Sequence, residues 1–159
     1  EVKIIKKYTN RLYTLHLFSG KSTIGDVRVD YSQPEATHNC DVFSFLKEFT
    51  ATNKNNVECV VIDAPYNSTF AEKYQNIGRT PDQFIIFANT KKTSELWNLI
   101  VKVAPKYIIL KSWNYYVPKG YLFHRGFLCY AGGYRKSTLL LILKRKNDLV
   151  SYISDNNHS

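Results

Sequence analysis

Residues 57–62, Val-Glu-Cys-Val-Val-Ile, form a nearly unbroken apolar run. A strand without polar alternation is buried on both faces, and strands of that kind belong to sheets with helices on either side. Lys-Tyr-Ile-Ile-Leu-Lys at 106–111 repeats the pattern. Between the two runs, 93–104 reads as a helix. Thr93 or Ser94 is its cap, Leu96, Leu99, Ile100 and Val103 form one apolar stripe, and Pro105 stops it.

The other segments fit the same scheme. Residues 13–18 read as a strand stopped by Ser19-Gly20, and 26–30 as a short alternating strand. Pro34 lies in a turn that ends it. Asp41 is placed to cap a helix carrying Phe43, Leu46 and Phe49. Residues 53–56 read as a loop, 68–75 as a helix, and Thr80-Pro81 as the start of another. Residues 127–133 and 137–145 read as two strands joined by a glycine-containing turn. The expected fold is α/β: an open, mostly parallel sheet ending in an antiparallel hairpin, as one domain over 1–159. Sheets of this type bind ligands at the carboxyl ends of their strands, so the residues after Phe18, Val29 and Ile62 carry the interest.

Net charge is +9, unevenly placed. Residues 1–80 hold 10 Lys and Arg against 9 Asp and Glu, whereas 81–159 hold 12 against 4. That asymmetry points to an anionic partner, and interleaved aromatics favour nucleic acid. Residues 111–127 are expected to form a loop near the strand ends. They place Lys111, Trp113, Tyr115, Lys119 and Arg125 as candidate nucleic-acid contacts. The basic residues do not fall on one amphipathic helix, so no membrane partner is expected. No apolar run reaches the ~20 residues of a membrane span, and the opening residues lack the apolar core of a signal peptide. Cys40, Cys59 and Cys129 are widely spaced, with no metal-ligand pattern. They suit a reducing, cytoplasmic compartment.

Gly20-Lys21-Ser22 looks like the end of a phosphate-binding loop. That loop needs a glycine five residues earlier and a helix immediately after. Position 15 is Leu15, and the next strand arrives within a few residues, so a triphosphate site is not expected.

The most specific feature is Val60-Val61-Ile62-Asp63-Ala64-Pro65-Tyr66-Asn67. A buried strand delivers an acid, a small residue, a proline and an aromatic into the ligand crevice. An exocyclic base amine is a poor nucleophile, because its lone pair is delocalised into the ring. Asp63 and the Ala64 carbonyl can align that nitrogen and stabilise positive charge as it attacks an electrophile. Pro65 stiffens the turn, and Tyr66 can stack on a base taken out of the helix. An ordinary Asp-Pro turn is the plain alternative.

Residues 63–67 resemble the DPPY motif of the S-adenosylmethionine-dependent amino methyltransferases of DNA and RNA bases. Residues 17–23 resemble that family's cofactor loop, F-x-G-x-G-[ST], with Phe18, Gly20 and Thr23 matching and Ser22 in place of the second glycine. The resemblance implies a Rossmann-like methyltransferase fold with S-adenosylmethionine as cofactor. Phe18, Ser19, Gly20, Thr23 and Tyr31 would hold it, with Asp30 at its ribose, Asp41 and Val42 near its adenine, and Asp63 beside it. It implies adenine in DNA as the leading substrate, with RNA bases or a non-catalytic nucleic-acid-binding module as alternatives. Ala64 replaces the first proline of the motif. Ten positions from Gly20 to Asp30 leave the first crossover helix shortened or absent. With no segment for a separate target-recognition domain, sequence specificity is low or supplied by a second copy in a homodimer.

Overall fold

Every residue of β4 (Cys59–Ile62) is buried, which explains its lack of polar alternation. In a computed structural model that describes residues 1–52, 56–64, 90–113, 116–130 and 137–147, this strand sits fourth in a seven-stranded sheet. The other strands are β1 (Thr14–Leu17), β2 (Val27–Asp30), β3 (His38–Asn39), β5 (Tyr107–Ser112), β6 (Tyr121–Cys129) and β7 (Thr138–Arg145). Their order is β3-β2-β1-β4-β5-β7-β6. Strands β3 through β5 in that order run parallel, and β7 lies antiparallel between β5 and β6. The expected α/β class and the reversed C-terminal hairpin are both present.

Side chains alternate between two covered faces. Leu15, Leu17, Val60, Ile62, Ile108 and Leu110 point to one core. There they meet Val42, Leu46 and Phe49 of α2 (Val42–Thr52) and Leu96, Trp97 and Ile100 of α3 (Thr90–Val103). Cys59, Val61, Ile109 and Ile142 point the other way and pack with Ile5 of α1 (Val2–Thr9). Each fully buried Leu or Ile contributes roughly 1.5–3 kcal/mol of transfer free energy. Among the described residues, no helix is long and apolar enough to cross a membrane.

Several elements differ from expectation. Helix α1 has no counterpart among the expected elements, although Ile4, Ile5 and Tyr8 share one stripe that packs on the second core. Helix α3 starts at Thr90, so Thr93 and Ser94 lie inside it, in its first and second turns, instead of capping it. Its end agrees: Ala104 takes φ +54° and Pro105 follows. Strand β6 begins at Tyr121, six positions before the expected Phe127, so 111–127 is not one loop. Its alternation is hidden because it is an edge strand with exposed residues on both sides and a bulge between Phe123 and Arg125. The helices expected at 68–75 and after Pro81 lie outside the described residues.

The β1–β2 connection, 18–26, contains no helix and is shorter than the dozen or so residues a parallel crossover ordinarily takes. It folds back tightly on β1. Thr14 N–H donates to Asp26 Oδ2 (2.8 Å), and Asp26 N–H donates to the Thr14 carbonyl (2.9 Å). Gly25 has φ +101°, and a Cβ there would lie 3.2 Å from the His16 Cβ and 3.3 Å from the Thr14 oxygen.

His16 is buried under this connection. Its Nδ1 lies 3.0 Å from the Ile24 carbonyl. That acceptor requires the proton on Nδ1, which leaves Nε2 as a bare acceptor, buried with no partner among the described residues. Burial lowers its pKa to about 4. The unfolded chain therefore binds a proton near 6.5, whereas the fold resists it until about 4. Stability contributed by neutral His16 is thus present at pH 7 and lost as pH falls through that window. Urea unfolding at pH 7 and pH 5 is expected to show a loss on the order of 2 kcal/mol from this group. His16→Leu should flatten that part of the dependence; an unchanged pH slope would remove His16 as its source.

Candidate active site

Parallel pairing aligns the carboxyl ends of β2, β1, β4 and β5, and the sequence-nominated acids fall there. Asp63 follows Ile62, which pairs with Leu17 on one side and Leu110 on the other. Asp63 N–H donates to the Leu17 carbonyl (3.3 Å), which ties the acid to the root of the 18–23 loop. Ala64 is fully buried against the first core, whereas the Asp63 side chain keeps 37% of its surface open. Pro65 and Tyr66 lie outside the described residues.

The loop after β1 is held by its backbone. Phe18 takes φ +56°, a left-handed conformation that costs a bulky residue ~1–2 kcal/mol. Gly20 takes φ +54° with open space where a Cβ would stand. Ser19 N–H donates to the Val29 carbonyl (3.1 Å), and Ser22 N–H donates to the Ser19 carbonyl (3.0 Å). The Ser19 hydroxyl is buried with no partner among the described residues. Thr23 and Lys21 are exposed.

Asp30 explains the shape of the loop. Its Oδ2 accepts the Gly20 N–H at 2.9 Å, while Oδ1 accepts the N–H groups of Ser32 (3.0 Å) and Gln33 (3.1 Å). The residue is buried, so these charge-assisted bonds replace its lost hydration. Tyr31 is exposed beside it. Asp41 caps α2: its Oδ2 accepts Ser44 N–H at 2.8 Å and Ser44 O–H at 3.1 Å. Val42, the first helical residue, is buried.

The five nucleic-acid candidates are not gathered on one surface. Lys111, last but one in β5, is turned into the crevice. Its Nζ lies 3.2 Å from Asp63 Oδ2 and 3.0 Å from Glu1 Oε1 at the start of α1. Trp113 follows β5 at the same end and is half-buried. Arg125 is exposed mid-way along β6, opposite Ile142, which pairs with Ile109. Lys119 precedes Tyr121, which pairs with Arg145 beyond the start of β5, so it lies at the opposite end of the sheet from Asp63. Tyr115 lies outside the described residues. The register brings Leu128 and Tyr130, both 70% exposed, to the crevice end instead. Locating strand β6 would have found them, and its edge position removed the periodic signal that does so.

No protein-family model and no curated protein matches this sequence. Among solved structures, the chain is similar to a prophage-encoded E. coli protein described as a DNA modification methyltransferase. The two share a TM-score of 0.52 at 14% identity, over 86% of this chain and 47% of the other. The fold is the α/β fold seen in that methyltransferase. This chain spans about half of that protein's length.

Burial pushes the Asp63 carboxyl above its usual range, and the Lys111 ammonium pulls it back. Asp30 has a different task, since its carboxylate closes three backbone donors. Asp30→Ala should take the carboxylate away from all three donors and cost about 3 kcal/mol; Asp30→Asn, which keeps one acceptor oxygen, should cost less. Amide exchange at Gly20, Ser32 and Gln33 is expected to accelerate in the Ala variant. Unaltered protection there would show that the loop is held by something else.

Proposed function

We propose that this protein is an S-adenosylmethionine-dependent methyltransferase acting on the exocyclic amino group of a base, with adenine in DNA as the substrate. The observation that carries the reading is the bond between Asp63 and the root of the 18–23 loop, which joins an amine acceptor to a cofactor-type loop at the carboxyl edge of a methyltransferase-type sheet. The fold and the basic C-terminal half support it.

The loop fits a polar ligand. The partnerless Ser19 hydroxyl and the open side of Gly20 are what such a ligand would fill. Ser19, Gly20 and the start of α2 at Asp41 and Val42 would hold S-adenosylmethionine. Asp30 would act by shaping the loop, since its oxygens already bind Gly20, Ser32 and Gln33. When bound, the cofactor supplies an electrophilic methyl group.

The chain's own residues handle the amine. The Asp63 carboxylate accepts an N–H of the base, which aims the nitrogen lone pair and offsets positive charge developing on nitrogen. The Ala64 carbonyl accepts the second N–H. Tyr66 would stack on the extruded base, and Pro65 would stiffen the turn. Trp113 and the exposed Arg125 and Lys119 are proposed to meet nucleic acid, the last two outside the crevice.

The test supplies labelled S-adenosylmethionine with DNA or RNA, digests the product and identifies the labelled nucleoside. N6-methyldeoxyadenosine from DNA is expected. Label in RNA alone would move the substrate; label in neither, with nucleic-acid binding intact, would leave a non-catalytic binding module. Asp63→Ala is expected to reduce transfer by ~100-fold or more with an unchanged circular dichroism spectrum. Full activity in that variant would remove Asp63 from the mechanism.

A further inference from the structure

Lys111 is placed by register rather than by a loop. Leu110 pairs with Ile62 in parallel β5 and β4, so the next residue of each strand, Lys111 and Asp63, emerges side by side at the carboxyl edge. The ammonium stands 3.2 Å from Asp63 Oδ2, and the Lys111 side chain is only 21% exposed. Glu1 Oε1 holds the same ammonium from α1 at 3.0 Å, so the lysine is braced from two elements. Asp63 Oδ1 makes no hydrogen bond among the described residues.

We propose that Lys111 is a positioning residue for the amine acceptor: it binds one oxygen of Asp63 and leaves the other aimed at the incoming base. The proposal rests on the methyltransferase reading of the site and deepens it. A carboxylate accepts an amine N–H well only when ionised and correctly turned, and it can rotate about its own Cβ–Cγ bond. An ammonium on Oδ2 restrains that rotation and favours the charged form. Burial opposes ionisation at Asp63, and so does the charge of Glu1, so Lys111 is the group that offsets both. A role in gripping the phosphate backbone fits this placement less well, because the ammonium is already engaged by two carboxylates inside the crevice.

The two roles differ in what they change. Lys111→Met should move the Asp63 titration upward, which is read directly by carbon-13 NMR of the labelled carboxyl and needs no turnover. It should lower kcat by about tenfold at pH values below both midpoints if the titration moves up by one unit, because a tenfold weaker acid is about tenfold less ionised there. The acid limb of the rate profile should move up with it, and KM for DNA should change little. Lys111→Arg, which keeps a cation there, should restore the titration and most of kcat. An Asp63 titration identical in wild type and Lys111→Met would overturn the proposal. So would a variant that weakens DNA binding and lowers its salt dependence by about one charge while leaving the acid limb in place. Absence of methyl transfer by the wild-type protein would overturn the enzyme reading instead, and the carboxyl titration would still decide whether Lys111 governs Asp63.

Discussion

The parallel seating of β4 between β1 and β5 is the constraint on which the site depends. Cys59 to Ile62 pair with Thr14 to Leu17 on one side and with Tyr107 to Leu110 on the other. Because the strands point the same way, their carboxyl ends bring three segments of the proposed site to one edge: the 18–23 loop, Asp63-Ala64, and Lys111. A single-residue slip would turn every side chain to the opposite face. The two covered cores prevent it, since Val60 and Ile62 belong to one and Cys59 and Val61 to the other. Packing in the middle of the molecule therefore sets the geometry of the side chains at its edge.

The short β1–β2 connection creates a second requirement. In sheets of this kind a crossover helix commonly follows the first strand, and its N-terminus offers free backbone donors to a ligand. Here no helix intervenes, and the buried Asp30 carboxylate organises the loop by taking the Gly20 amide and two amides of its own turn. An acid at the end of the second strand thus has an internal duty in shaping the loop. The same connection covers His16, whose buried neutral ring is the acid-sensitive point of the first strand.

Much of this was legible in the residues. The apolar runs at 57–62 and 106–111 specify strands covered on both faces, and the helical stripe ending at Pro105 specifies the element between them. Asp41 announces the cap of α2, and its carboxylate performs that function. Other features left no readable trace. The stripe of α1 is short and flanked by lysines, and β6 loses its alternation at a bulged, exposed edge. Lys111, grouped by sequence with Lys119 and Arg125, is separated from them by the antiparallel hairpin.

The chain by itself determined which segments become buried strands and helices and which acids follow them, because hydrophobic periodicity and capping chemistry act over neighbouring residues. Only the tertiary structure decided the partners of those acids. Asp30 meets Gly20 across a loop, and Asp63 meets Lys111 across two strands 48 positions apart in sequence. Such pairings come from strand order and register, which depend on how the two faces of the sheet fill, and no local pattern of residues encodes them.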